Sequence, residues 1–432
     1  MAEAAITRVR AGPVSSADRI ESLDVLRGFA LLGILLLNIV GFGLPAAAYS
    51  NPAAGFTHAF DPVVWASIEL FAEGAMRCLF SVLFGAGVVL FTSGVAAKGA
   101  ALHYRRNFWL LVLGLFDAYV LLWNGDILVN YALAGAVLYL VRNTSPFRLL
   151  VTAAVLVVLM SAMYGATGLG MGMAQQAAEQ VAAAEDKSSL SAELLEGAAT
   201  WDEFAGGFIS TPEQEQAELA ARRDGYVSAF LWNVPKTNEM LTFVLPFVLF
   251  WDALAMMLLG MALYKYGVLQ GQRSKSFYGK LMIAGFSIGL LVNGYEVYRA
   301  FTADFAFLEV FAQAQPTYHI GRLGMAMGYL GLLMLLLQAN ILTRLRTALA
   351  AVGRMALTNY LMHSFLCLLV FTGAGLGLVG ELHRWQLYIV VLAIWLLQLA
   401  LSPWWLDRYR FGPVEWLWRG LTYGRWPALR KD

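Results

Sequence analysis

The sequence predicts an all-α membrane protein of about ten transmembrane helices, and three observations lead to this fold class. Of the 432 residues, 59% are hydrophobic and only 14% are charged, a balance that water-soluble globular domains of this length do not have. Apolar runs of about 20 residues, the length that crosses a bilayer, recur along the chain. Aromatic residues such as Trp123 and Trp232 stand near the ends of these runs, as is typical of the membrane interface.

Ten apolar runs follow one another along the chain. They place helices near residues 25–45, 69–94, 106–123, 126–142, 147–166, 240–264, 276–298, 318–339, 353–378 and 386–406. In the tight turn between the third and fourth runs, Asp126 can cap the next helix by accepting backbone N–H bonds. The first run ends in small residues that resemble a signal-peptide cleavage site, but we expect it to remain as a span because it is long enough to cross the membrane.

The distribution of Lys and Arg predicts the orientation, because cytoplasmic loops carry an excess of these residues. Alternate loops, starting from the N-terminus, hold most of the 30 basic residues. These residues are Arg8, Arg10, Arg19 and Arg27; Lys98, Arg105 and Arg106; Arg142 and Arg148; Lys265, Arg273, Lys275 and Lys280; Arg344, Arg346 and Arg354; and Arg408, Arg410, Arg419, Arg425, Arg430 and Lys431. Both termini are therefore predicted to be cytoplasmic.

These spans divide the chain into five segments. The predicted boundaries are a cytoplasmic tail over 1–24, a five-helix half over 25–166, an acidic segment over 167–239, a second five-helix half over 240–408 and a cytoplasmic interfacial segment over 409–432. Two halves with equal helix counts and opposite orientation could form two five-helix bundles, as in inverted repeats. The acidic segment, with twelve acidic and four basic residues, should lie outside, as a solvated helical cap or as a lid over a substrate site.

Ionisable residues inside spans are candidates for a functional cavity, because an unpaired charge in the bilayer costs several kcal/mol. Glu69, Glu73 and Arg77 recur at intervals of four and share one helix face. Polar residues of other spans fall at a comparable depth in the outer half, namely Asn38, Asp117, Asp126, Asn293, Glu296 and Arg322. The candidate ligand-binding residues in and between the spans are Asn38, Glu73, Arg77, Asp117, Asp126, Asp252, Arg322 and Asn359. The alternative is that they form interhelical pairs that stabilise the bundle.

Further residues have candidate or structural roles. His363 lies four residues after Asn359 on one face of the ninth span, and His58 lies in the loop after the first span. Imidazole is the most common general base, so both are candidate catalytic residues. Asp24 and Arg27 flank the cytoplasmic end of the first span and are candidate ligand-binding residues. The small residues of 85–87 and 260–262 predict close helix packing.

Other classes of site and partner are not indicated. Cys78 and Cys367 both lie in apolar runs, so neither a disulfide framework nor a metal site can be argued from them. A net charge of +1 with scattered basic residues argues against a nucleic-acid partner. The expected partners are membrane lipids, a lipid-like or acyl ligand, and a second copy in a homodimer.

Two sequence blocks resemble those of a known family. The first runs from Leu23-Asp24-Val25-Leu26-Arg27-Gly28 to Asn38, and the second comprises Gly353-Arg354-Met355-Ala356-Leu357-Thr358-Asn359-Tyr360, Trp404-Trp405-Leu406 and Phe411-Gly412-Pro413-Val414-Glu415-Trp416. Together they resemble the bacterial YeiB-like family, whose C-terminal part is the domain of unknown function 418. This resemblance implies a multi-pass protein of the bacterial inner membrane.

The YeiB-like family is similar to the transmembrane acyltransferases of acyltransferase family 3 and of the heparan-α-glucosaminide N-acetyltransferase type. The resemblance implies acyl transfer from a cytoplasmic thioester such as acyl-CoA to an extracytoplasmic or lipid acceptor. Arg27, Arg77 and a histidine would then orient or activate the reacting groups. Asn38 stands where family 3 has a histidine, whereas His58 is the nearest equivalent of the heparan-type histidine. The alternative is a non-enzymatic transporter or binder of a lipid or isoprenoid quinone in the same polar pocket.

Overall fold

The computed structural model describes residues 20–92, 99–310 and 315–431, and these residues confirm an all-α membrane protein. Their secondary structure is helical except for connecting turns and one isolated bridge between Tyr409 and Arg430. The predicted cytoplasmic charges Arg8, Arg10, Arg19 and Lys98 lie outside the described residues.

The first sequence half begins with a long buried helix. Its helices are α1 (Glu21–Gly43), α2 (Ala47–Ser50), α3 (Asp61–Phe71), α4 (Ala75–Thr92), α5 (Ala100–Tyr119), α6 (Leu128–Leu140) and α7 (Pro146–Ala183). The apolar runs explain most of these elements, and Pro146 starts α7 at a position where its missing N–H costs nothing. α7 passes residue 166 without interruption and so continues from the fifth predicted span into the acidic segment.

The acidic segment and the second half continue the helical pattern. Their helices are α8 (Ala192–Phe208), α9 (Pro212–Arg223), α10 (Tyr226–Glu239), α11 (Phe250–Lys265), α12 (Lys275–Thr302), α13 (Tyr318–Gln338), α14 (Thr343–Arg354), α15 (Ala356–Phe371), α16 (Arg384–Arg408) and α17 (Pro413–Tyr423). A π-helical segment, Met240–Leu249, joins α10 to α11 without a break. It contains Pro246, which has no N–H to donate and so favours an irregular turn there.

Seven helical stretches of the described chain are long and apolar enough to cross a membrane, and the pair α14 and α15, bent by 82°, can add an eighth. All ten predicted spans overlap a helix. The third and fourth correspond to α5, which carries several polar residues, and to α6, which has only 13 residues. A count of ten spans, and their orientation, stay predictions.

Glycine contacts bring helices of the two predicted halves together. A Cβ atom on Gly28 of α1 would collide with the backbone of α14, and one on Gly353 of α14 with the backbone of α1. Gly85 of α4 and Gly260 of α11 form the same kind of contact, which confirms the predicted close packing at these small residues. Each of the two main hydrophobic clusters contains residues from both halves, so the halves share their packing.

Candidate functional site

A cavity of about 850 Å³ lies at the end of α1 that carries Asn38 and Gly41. α1, the break between α3 and α4, the turn over 121–127, α9, α10 and α13 all contribute to its wall. Its apolar lining includes Leu37, Phe42, Trp65, Trp123, Trp232 and Phe371, and its polar lining includes Asn38, Glu69, Glu73, Arg77, Lys236, Glu239, Tyr318, Arg322, Arg384 and Tyr388. The cavity therefore combines a large apolar surface with a group of charges.

The charged side of the cavity is built on a broken helix. α3 ends at Phe71 and α4 begins at Ala75, and between them Gly74 has a φ of 64°, a conformation that glycine adopts without strain. A Cβ atom there would also collide with the side chain of Arg322. The break places Glu73 and Arg77 on the cavity wall. Discontinuous helices of this kind line ligand sites in membrane transporters.

Arg322 connects three helices next to this break. Its guanidinium forms ion pairs with Glu69 of α3 and Glu296 of α12, and all three side chains are largely buried. The hydroxyl of Thr317 donates a 2.6 Å hydrogen bond to Glu296. One positive charge thus faces two carboxylates, which lowers the cost of burying each charge.

Arg77 is held by a second set of partners. Its guanidinium lies 3.2 Å from the carboxylate of Asp252 in α11 and donates a 2.8 Å hydrogen bond to the hydroxyl of Tyr318. Nδ1 of His319 lies 3.4 Å from the same Asp252 carboxylate. Asp252 itself lies behind Arg77, beside a small pocket adjoining the main cavity. Arg77 can therefore face a ligand while its position is fixed from behind.

The acidic segment forms part of the cavity wall through α9 and α10. Arg222 of α9 donates hydrogen bonds to the carbonyl oxygens of Gly41, Phe42 and Leu44 at 3.1, 2.6 and 2.9 Å. The carboxylate of Glu218 lies 2.9 Å from Arg222 and also accepts a 3.0 Å bond from the backbone N–H of Ala46. These contacts satisfy carbonyl groups at the end of α1 that have no partner within the helix.

Burial lowers the pKa of the Arg222 guanidinium below its usual range, although the Glu218 carboxylate acts in the opposite direction. A positive charge at the C-terminal end of α1 also interacts favourably with the helix dipole. We define Glu218, Arg222 and the three carbonyl groups that accept hydrogen bonds from Arg222 as the α1 clasp.

The structure brings together some predicted site residues and separates others. Asn38, Glu73, Arg77 and Arg322 all line the cavity. Asp24 and Arg27 form a 3.1 Å ion pair near the other end of α1. Asp117 and Asp126 are buried and do not line the cavity, although neighbours of Asp126 in the 121–127 turn do.

The two candidate catalytic histidines lie outside the cavity lining. His363 is buried between α15 and α16, where Nε2 lies 2.9 Å from the side-chain oxygen of Gln398. Asn359, one turn earlier, donates a 3.0 Å hydrogen bond to Ser402 of α16. His58 is exposed, and its ring centroid lies 5.2 Å from that of His383. Their catalytic roles stay predictions.

Several lining residues were missed by the sequence reasoning. Trp232, Lys236 and Glu239 lie in the acidic segment, and Arg384 and Tyr388 lie in the first turns of α16. Of these, only Arg384 carries a sequence signal, because it stands two residues before an apolar run. Within the ranges that the structure describes, no group of three or more His, Cys, Asp or Glu side chains is arranged to hold a metal ion.

Comparison with known proteins identifies the family. The family described as "Protein of unknown function (DUF418)" matches residues 263–425. "Uncharacterized protein YeiB" of Escherichia coli (strain K12) is 32% identical over 96% of this chain and 99% of its own length. "Uncharacterized protein YxaH" of Bacillus subtilis (strain 168) is 31% identical over 97% of this chain and 98% of its own. No solved structure matches the chain. The chain therefore belongs to the YeiB-like family, which confirms the resemblance seen in its two sequence blocks.

Proposed function

We propose that this protein binds an amphipathic, lipid-like molecule in the cavity and carries or presents it within the membrane. The observation that carries the proposal is the pairing of an apolar wall with the charged end formed by Glu73, Arg77 and Arg322. A lipid tail gains free energy by leaving water for an apolar surface, whereas a polar headgroup needs hydrogen-bonding partners. The cavity volume of about 850 Å³ is in the range of small-molecule sites.

The headgroup would lie beside Arg77 and Tyr318, and the apolar part would lie along Phe42, Trp123 and Trp232. Since Asp252 and Tyr318 already fix Arg77, binding requires little ordering of that side chain. A carrier of this kind needs no catalytic base, which agrees with the position of His58 and His363 outside the cavity lining. We place the protein in the bacterial inner membrane on the basis of its apolar helices and its bacterial relatives.

Mass spectrometry of molecules that co-purify in native-membrane nanodiscs tests this proposal. We expect wild-type protein to retain a lipid-like molecule, and Arg77→Gln to retain it with an affinity reduced about tenfold or more, since a hydrogen bond to a charged group contributes about 1.5–3 kcal/mol. Arg148→Gln, at an exposed position in α7, is the matched control. Equal lipid content in all three proteins would contradict the proposal.

A second candidate function is acyl transfer, favoured by the carboxylate of Glu73 on the cavity wall. A carboxylate in that position could remove a proton from an acceptor hydroxyl, with Arg77 beside the developing negative charge. Incubation with labelled acyl-CoA would then release coenzyme A thiol, and Glu73→Gln would abolish the release. His58→Ala and His363→Ala test the predicted histidines in the same assay. No release from wild-type protein would favour the carrier.

A further inference from the structure

Two aspartates, one at the end of α5 and one in the 121–127 turn, are buried and do not line the cavity. Asp117 of α5 is fully buried, and Asp126, which precedes α6, is 5% exposed. Asp126 accepts a 2.8 Å hydrogen bond from the backbone N–H of Val129 and so caps α6. Its other oxygen, and both oxygens of Asp117, accept no hydrogen bond from any described residue.

Among the described residues, the groups that face this pair carry no positive charge. Asp117 faces Asp126 and the hydroxyl of Ser364, and Asp126 also faces the hydroxyl of Tyr360, both from α15. From α10, Asn233 reaches the adjacent backbone, where it donates a 3.1 Å hydrogen bond to the carbonyl of Ala118. In the described part of the chain, neither aspartate forms an ion pair with Lys, Arg or His.

Two neighbouring carboxylates in a low-dielectric interior cannot both carry a charge without a compensating cation. We propose that this pair is a proton-binding site in which Asp117 is protonated and donates a hydrogen bond to the ionised Asp126. The assignment follows from the surroundings of the two carboxyl groups. The backbone N–H of Val129 stabilises the ionised form of Asp126, whereas Asp117 is fully buried and no backbone N–H of a described residue donates to it.

The turn after α5 links this site to the cavity. Trp123, Asn124 and Gly125 line the cavity, and the Trp123 ring stacks on Phe42 of α1 with centroids 4.1 Å apart. Leu122 in the same turn has a φ of 58°, which is uncommon for a residue with a side chain. Release of the proton would leave two like charges next to each other and displace the turn. Protonation of the pair thus affects the conformation of the cavity wall, whichever molecule the cavity binds. If experiments rule out the proton site, the proposed function remains as it is.

Infrared difference spectroscopy of the variants against wild-type protein at neutral pH tests the proton site. We expect Asp117→Asn to remove a carbonyl stretch of a protonated carboxyl group, which in wild-type protein shifts in D2O. Asp126→Asn should keep this band at a changed frequency, because Asp117 remains fully buried and without an ion pair to a described residue. Asp202→Asn, at an exposed position in α8, is the control and should leave the band unchanged.

Loss of the band in Asp126→Asn would overturn the assignment to Asp117, and an Asp117→Asn spectrum equal to that of the control would overturn the site itself. If Asp117→Asn does not fold, the Asp126→Asn spectrum alone decides. The link to the cavity is tested by hydrogen exchange of residues 120–127 as a function of pH, corrected for intrinsic rates. Wild-type protein should become less protected as the pH rises, whereas Asp117→Asn should not; the same pH dependence in both would overturn the link.

Discussion

Arg322 lies between two carboxylates from different helices, and its removal would leave both without a counter-charge. The ion pairs with Glu69 and Glu296 are largely buried. Breaking a buried pair by removing one partner costs about 3–5 kcal/mol. We therefore expect Arg322→Gln to lower the unfolding temperature in detergent strongly.

Arg346→Gln is the matched control for Arg322→Gln. The partner of Arg346, Glu21, is 57% exposed, and a surface pair of this kind contributes at most about 1 kcal/mol. Similar unfolding temperatures for the two variants would contradict the role given to Arg322.

Gly74 gives a second prediction, because its left-handed backbone forms the break between α3 and α4. Gly74→Ala adds a Cβ atom that meets Arg322 and forces a strained φ, at a cost of about 1–3 kcal/mol. We expect lower thermal stability together with loss of co-purified ligand. Gly87→Ala in α4 is the control, since open space surrounds that position and alanine favours a helix. Equal behaviour of both variants would contradict the importance of the break.

The sequence indicated which polar residues lie at the same depth in the membrane, but not which residues they contact. Sequence depth placed Glu69, Arg77 and Arg322 at a common level, and the structure brings all three to one cavity. The contribution of Lys236 was missed because the sequence does not show that α10 returns to the membrane part. The break at Gly74 was missed for a different reason: a single glycine within an apolar run does not reveal its backbone conformation.

α9 is held against the end of α1 by the α1 clasp, and this contact gives a prediction about the acidic segment. Arg222→Leu removes three hydrogen bonds to carbonyl groups and leaves Glu218 without its ion-pair partner. We expect residues 212–223 to exchange hydrogen faster and to be cleaved sooner by protease, while the remaining helices change little.

Gln216→Ala on the same helix serves as the control for the clasp, because that side chain is exposed and is not part of the clasp. An unchanged exchange rate in Arg222→Leu would show that the clasp does not hold the segment. It would also favour the mobile-lid alternative over a fixed wall.

Helices were predictable where an apolar run fixed them, as for α1, α12 and α13. Their ends were less predictable, because α7 and the stretch from α10 to α11 run on past the polar residues that were expected to end them. The hydropathy of a residue predicts whether it lies in lipid or in water, but it does not predict where the backbone hydrogen bonds of a helix end. The sequence therefore located the spans but not the helices that leave the membrane.

The orientation of the whole molecule is testable by labelling with a membrane-impermeant thiol reagent. The native Cys78 and Cys367 are buried, so an added cysteine provides the signal. We expect Ala183→Cys, at the exposed end of α7, to be labelled on intact spheroplasts. Ala428→Cys, in the exposed C-terminal segment, should be labelled only after permeabilisation. The reverse pattern would contradict cytoplasmic termini.

α1 is immobilised at two points far apart along its length. Near its start, Gly28 and Gly353 allow its backbone to pack directly against that of α14. At its end, the carbonyl groups accept hydrogen bonds from Arg222 of the α1 clasp. A conformational change that admits a bulky molecule into the cavity must therefore occur in other helices while α1 keeps its position. The cavity wall also includes residues of the π-helical stretch that contains Pro246, where regular helical hydrogen bonding is interrupted. Passage between the cavity and the surrounding lipid should accordingly follow the side of α10 and α11.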